Sequence, residues 1–264
     1  MLRGPITLTT DFGTSDHFVG TMKGVILGIS PRARIVDITH EIAPHDVNEA
    51  AFAIEQAWRY FPKGSIHVVV VDPGVGSARR AILCEAEGRF FIAPDNGVLS
   101  MIYDGARHKV RVISNEKLFL KNVSKTFHGR DVFAPSAAHL AKGLVPAKFG
   151  KPIHDFLCNF LMKPTRLSRH DWAGVVLKTD RFGNLITNFH IDEFPDLAEH
   201  SMELRAGLER INRLARTYAE TAISELFAIV GSSGYVEVVV NQGSAAKMLG
   251  VGAGSPVELE IFYE

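Results

Sequence analysis

The feature that most constrains this sequence is the run Ile66–Val71, apolar throughout except for His67, which stops at the polar turn Asp72-Pro73-Gly74. A strand that is apolar at odd and even positions alike has no face to give to water, so it must lie in a sheet covered on both sides. Parallel sheets with helices on either face provide that cover. The surroundings of the run fit. Ile6–Phe12 reads as a strand ending in the turn Asp11-Phe12-Gly13. Phe18, Val19, Met22, Val25, Ile26 and Ile29 then share one helical face until Pro31 stops the helix. Ala33–Thr39 is a second strand, and Asp46 is positioned to cap a helix carrying Val47, Ala50, Ala51, Ile54, Ala57, Trp58 and Phe61. Strands are also expected at Ala81–Glu85 and Phe90–Ala93, with a helix over Val132–Lys142 that holds Pro135 in its first turn.

The pattern changes after about residue 165. Lys151–Arg169, with Pro152 and Pro164 among mixed charges, reads as a connector. Beyond it, Val175–Thr179, Phe227–Val230, Val236–Val240 and Val257–Phe262 are strand-like and separated by glycine-rich turns. The expected organisation is an α/β sheet domain over residues 1–165 and a smaller, mostly β domain over 166–264. Leu204, Leu208, Ile211, Leu214, Ala215 and Tyr218 fit a helical face although they sit among strands.

Composition narrows the function classes. Lys+Arg and Asp+Glu are equal at 29 each, which argues against a general nucleic-acid binder. The two cysteines, Cys84 and Cys158, are too few for a disulfide scaffold and lack metal-ligand spacing. No stretch approaches the roughly 20 apolar residues of a membrane-spanning helix, and the N-terminus lacks a targeting pattern, so a cytoplasmic protein without a membrane partner is expected.

Chemistry-bearing residues gather in loops at strand ends, where α/β proteins bind ligands. Asp11 follows the first strand and is suited to accept hydrogen bonds from the vicinal hydroxyls of a ribose, although taken alone it is more simply a turn aspartate. Asp72 ends the buried strand. Its turn, through Gly74, Gly76 and Arg79, lacks both the dinucleotide fingerprint and the phosphate-loop lysine. Arg79 has the reach to fold back and pair with Asp72. His128, in Phe127-His128-Gly129-Arg130-Asp131, is able to act as acid, base or donor near neutrality. In the second half, Asp180 and Ser232 supply the groups that an amino-acid ligand needs, an anion for its ammonium and a donor for its carboxylate. The Asn184 amide suits an adenine edge. No metal-ligand pattern occurs, and no metal or other cofactor is expected.

Together with Pro94-Asp95-Asn96-Gly97 and Asn241-Gln242-Gly243-Ser244-Ala245-Ala246, these segments resemble, from Ile6 to the C-terminus, the S-adenosylmethionine hydrolases, or hydroxide adenosyltransferases. The fluorinases and chlorinases are the halide-using relatives of that family. The resemblance implies an N-terminal α/β domain, a C-terminal β-barrel domain, and strand rather than helix over Leu204–Tyr218. It implies a homotrimer with active sites between subunits. It implies that Asp11 holds the ribose, that Asp72, Arg79 and His128 surround the attacking water, and that Asp180 and Ser232 hold the methionine moiety. Asn184 and the backbone near Ala245 would meet the adenine. Where the halogenases carry tyrosine and serine around the halide, this chain has Asp72, His128 and Gly129. A carboxylate repels a halide and orients a water, which favours hydrolysis of S-adenosylmethionine to adenosine and methionine. The residues leave open whether the (R) epimer at sulfonium is the substrate. Two rivals stand beside this reading: a methyltransferase, whose glycine-rich loop after the first strand is missing, and a non-catalytic sensor that keeps Asp11 and Asn184 alone.

Overall fold

The structure, a computed structural model, describes residues 4–159 and 163–263. It is mixed α/β with two sheets, and its contacts divide the chain into two compact units, Met1–Asn159 and Phe160–Glu264.

In the first unit, β1 (Ile6–Thr10), β2 (Ile35–Thr39), β3 (Ile66–Val70), β4 (Ala81–Ala86), β5 (Arg89–Pro94), β6 (His108–Val112) and β7 (Pro152–Ile153) form one sheet, in the order β2-β1-β3-β5-β4-β6-β7. The β2-β1-β3-β5 half is parallel, and β4, β6 and β7 join it antiparallel. Every residue of β3 is buried, and the two core clusters explain why. Ile66, Val68 and Val70 face Met22 and Ile26 of α1 (Phe18–Ile29) and Ala137 and Ala138 of α4 (Ala134–Ala141). Val69 and Val71 face Ile54 and Trp58 of α2 (Val47–Trp58) and Ile102 of α3 (Ser100–Gly105). Asp46 caps α2 by accepting from the Glu49 amide at 2.8 Å.

The helix expected over Val132–Lys142 starts later. Gly129–Phe133 first makes one wide π turn, and α4 follows with Pro135 in its first turn. Pro135 has no N–H for the Asp131 carbonyl four residues back, and the Leu120 amide takes that carbonyl at 3.0 Å instead. A π turn of this kind often marks a functional site. Here it begins one residue after His128.

The second unit is built on a nine-stranded sheet. Its strands are β8 (Thr165–Arg166), β9 (Asp171–Thr179), β10 (Leu185–His190), β11 (Ser201–Ala206), β12 (Glu209–Ile211), β13 (Leu214–Ala215), β14 (Leu226–Val230), β15 (Tyr235–Val240) and β16 (Pro256–Phe262). They run in the order β12-β11-β16-β9-β10-β15-β14-β13, with β8 on β9, and a short helix α5 (Ala245–Leu249) follows β15. The helical spacing of Leu204–Tyr218 does not make a helix. Leu204 and Ile211 face each other across the β11–β12 hairpin, and Leu208 lies fully exposed at its tip beside Gly207, whose φ is 62°. The apparent period arose from two short strands meeting at a turn. The connector Lys151–Arg169 holds β7 and β8, and its residues 160–162 lie outside the described residues.

Candidate functional site

In the first unit a cleft of about 290 Å³ opens at the C-terminal ends of β1 and β3, and Asp11, Phe12, Phe18, Asp72, Phe127 and His128 line it. Because β1 and β3 are parallel neighbours, the residues just beyond them, Asp11 and Asp72, emerge on the same edge of the sheet. The segment leading into the π turn delivers His128 to the same cleft.

Arg79 ties the two polar groups of this wall together. Its Nε donates to Asp72 Oδ1 at 2.9 Å and its Nη2 to Oδ2, a bidentate pair whose side chains are 10% and 5% exposed. The same Nη2 lies 2.7 Å from His128 Nδ1. A guanidinium only donates, so Nδ1 must accept, and the ring is neutral with its proton on Nε2. Burial, and next the Arg79 charge, hold His128 below its ordinary value against the opposing pull of Asp72 and Asp131. The guanidinium also lies over Phe133, 5.2 Å from the ring centroid.

The glycines of the 72–79 turn have a steric reason. Gly76 has φ 78°, and a Cβ there would collide with the carbonyl oxygen of Lys125, in the segment that leads to His128. That close approach brings the Asp72 turn against the His128 turn. Asp11, 9% exposed, is fixed separately: its Oδ2 accepts from the His45 amide at 2.9 Å, and His45 adopts a left-handed φ of 68°.

The apolar wall is a trio of phenylalanines. Ring centroids are 5.8 Å apart for Phe12–Phe18 and for Phe12–Phe127, and 5.1 Å apart for Phe18–Phe127. Gly129 fits beneath them, since a Cβ there would stand 3.2 Å from Met22 Sδ and from Phe127, and 3.3 Å from Phe12.

The second unit presents its own constellation. Asp180 Oδ1 accepts from the Phe182 and Asn184 amides at 2.8 and 2.9 Å, and Oδ2 accepts from Asn184 Nδ2 at 2.9 Å. Asn184 Nδ2 also donates to the Tyr218 hydroxyl at 3.3 Å. Both amide hydrogens are thereby engaged, which leaves Oδ1 as the acceptor the side chain has to offer. The Gly183 carbonyl accepts from the Ala246 amide at 2.9 Å, which seats this turn on α5 and its buried Ala245. Ser232 is exposed on the β14–β15 turn, beside Gly231. A Cβ on Gly231 would strike the Glu237 carboxylate, and burial, followed by the nearby Asp180 charge, pushes the Glu237 carboxyl up.

Within the first unit the structure thus brings Asp11, Asp72, Arg79 and His128 together, and within the second it joins Asp180, Asn184 and Ala245. Sequence reasoning missed several residues. Phe12 and Phe127 stand in the segments named above without a role of their own, and Phe18, counted toward the α1 core face, is 36% exposed at the cleft. Phe182, 76% exposed at the turn beside Asn184, is an aromatic at a turn tip, a signal that was available in the sequence. Glu237, the one charged residue in the otherwise apolar run Tyr235–Val240, was a signal of the same kind.

Comparison with known proteins gives a consistent result. Residues 6–150 match the model of the SAM hydroxide adenosyltransferase N-terminal domain, and residues 174–258 match that of the C-terminal domain. A protein of Thermus thermophilus named (R)-S-adenosyl-L-methionine hydrolase is 36% identical, covering 97% of this chain and 99% of its own. One of the same name from Salinispora tropica is 37% identical, covering 94% and 95%. Proteins named fluorinase match at lower identity, 28% for that of Actinoplanes sp.. Among solved structures, that of an uncharacterized conserved protein from Thermotoga maritima superposes with a TM-score of 0.88 at 37% identity, covering 96% of this chain and 99% of its own.

Proposed function

The chain belongs to the SAM hydroxide adenosyltransferase family, and on that premise we propose that it cleaves S-adenosyl-L-methionine with water at the ribose C5′, releasing adenosine and L-methionine. The (R) epimer at sulfonium, from which the hydrolase relatives take their names, is the proposed substrate form. The observation that carries the reading is the bidentate Asp72–Arg79 pair with His128 on the same guanidinium, on the wall of the cleft.

The chemistry follows from charge. Sulfur leaves as a neutral thioether, so the C5′–S bond breaks without an acid or a metal, its electron pair staying on sulfur. Water is the weak partner, and the site must align oxygen, carbon and sulfur and hold the reacting water away from bulk solvent. Asp72 orients this water and accepts its proton as the C5′–O bond forms. His128 does not compete for that proton, because Nδ1 is occupied by Arg79; its Nε2–H holds the water in line. Arg79 neutralises Asp72, and the Phe12, Phe18 and Phe127 wall shields the reacting atoms.

Asp11 takes the ribose hydroxyls. Asn184 Oδ1 accepts from the adenine amine, Phe182 offers its face to the purine, and the backbone at Ala245 meets the base. Asp180 and Ser232 hold the methionine moiety. The same reading makes residues 1–165 an α/β domain and 166–264 a β-barrel domain. It makes the assembly a homotrimer with sites between subunits, and its location cytoplasmic. These points rest on the family resemblance.

Chromatography of the nucleosides after incubation with S-adenosylmethionine tests the proposal. Adenosine with methionine supports it. S-adenosylhomocysteine indicates methyl transfer, unchanged ligand indicates a sensor, and a 5′-halogenated nucleoside in concentrated chloride or fluoride indicates a halogenase.

A further inference from the structure

We propose that His40 is a positioning residue for this reaction: with Thr10 and Asp37 it forms a relay that fixes the Asp11 loop and so sets recognition of the vicinal ribose hydroxyls. The inference rests on the reading of Asp11 as the ribose ligand. His40 directly follows β2 and is only 4% exposed. Its Nδ1 is 2.8 Å from Oγ1 of Thr10, the last residue of β1, which is fully buried. Thr10 Oγ1 also accepts from the Phe12 amide at 3.2 Å, and the Gly13 amide donates to the His40 carbonyl at 2.8 Å. His40 therefore brackets Asp11, acting through a side chain on the residue before it and through the backbone two residues after it.

The far side of the ring is anchored as well. Nε2 lies 3.1 Å from Asp37 Oδ1, an ion-pair distance whose angle falls short of a directed hydrogen bond, and Asp37 Oδ2 takes Lys23 Nζ of α1 at 2.6 Å. The β1–β2 ladder slips at this point, from Leu8 opposite Asp37 to Thr9 opposite Thr39. A bulge re-aims the side chains that follow it, and here it sets His40 beside Thr10. A buried imidazole costs desolvation that an aliphatic residue would avoid. Its hydrogen bonds go to Thr10 and Gly13, on either side of Asp11, and a carboxylate serving two hydroxyls requires placement within about 0.5 Å.

The test compares adenosine with 2′-deoxyadenosine, by calorimetric affinity, for the wild type, Asp11→Ala, His40→Ala, His40→Asn and Thr10→Val, together with KM and kcat for S-adenosylmethionine. Loss of one positioning hydrogen bond should cut the adenosine preference about three- to tenfold in His40→Ala and raise KM more than it lowers kcat. Thr10→Val, isosteric but without the hydroxyl, should do the same. His40→Asn, which keeps a hydrogen-bonding group for Thr10, should recover most of the preference. If His40→Ala keeps the wild-type preference, or weakens both nucleosides equally, while Asp11→Ala abolishes it, the relay is wrong and the ribose reading stands. If Asp11→Ala leaves the preference unchanged, or the wild type has none, the ribose reading itself is wrong and the relay falls with it.

Discussion

Replacing Arg79 with methionine separates the roles of the cleft residues. Methionine keeps an unbranched side chain of similar reach and removes the guanidinium, together with its contact to the Phe133 ring. Asp72, 5% exposed, then loses both of its charged donors. Leaving a buried carboxylate uncompensated costs about 3–5 kcal/mol, and thermal unfolding should record a loss of that order. With the acid–base assembly unpinned, turnover should fall by about 10²–10⁴. The histidine supplies the independent readout. His128 is held low by burial first and by Arg79 second, with Asp72 and Asp131 pulling upward. Removing Arg79 therefore raises its titration point. For a histidine with a depressed folded value, the associated stability is present above the unfolded value of about 6.5 and is lost as pH falls through the folded value. In Arg79→Met the folded value moves toward the unfolded one, so the window closes from below and the pH-dependent loss shrinks, while the acid limb of the rate profile should move to higher pH. Following the His128 Cε1 proton by NMR alongside kcat at each pH tests this directly. Turnover within threefold of wild type, or an unmoved His128 titration, would refute the reasoning.

Other outcomes follow from the same geometry. Gly76→Ala, at φ 78° and against the Lys125 carbonyl, should push the Asp72 and His128 turns apart and lower kcat far more than adenosine affinity; an unaltered kcat contradicts this. Asn184→Ala should abolish the preference for adenosine over inosine by about tenfold, because inosine lacks the amine that Oδ1 accepts from; an unchanged ratio removes Asn184 from the adenine site. His67, fully buried on Thr7 and stacked on Phe91, is pushed down to about 3, chiefly by burial and secondarily by Arg89. Its contribution is whole above pH 6.5 and declines toward pH 3, a loss of roughly 5 kcal/mol. His67→Leu should flatten urea midpoints across that window, and a slope equal to wild type would count against it.

The fold was legible where burial leaves the chain no choice. The Ile66–Val71 run, the Asp46 cap and the stop before Pro31 each follow from local chemistry, and the structure has β3, α2 and α1 at those places. Asp72–Arg79 pairing was readable from a carboxylate and a guanidinium flanking a glycine turn. What was not legible depends on tertiary partners. The π turn before α4 needs Leu120 to take the carbonyl that Pro135 cannot serve. The Leu204–Tyr218 pattern needs its hairpin partner to reveal that the spacing is not helical. The tautomer of His128 needs the 2.7 Å contact with Arg79, which lies 49 residues away in sequence.

The central claim is attack of water at C5′ of S-adenosylmethionine, and oxygen labelling tests it most directly. The wild-type protein is incubated with the substrate, as (R) and (S) epimers separately, in water enriched in oxygen-18, and the nucleoside and amino acid are analysed by mass spectrometry. The account predicts adenosine carrying one labelled oxygen at the 5′ hydroxyl and methionine carrying none, with the (R) epimer consumed faster. S-adenosylhomocysteine, or adenosine without the label, would contradict it.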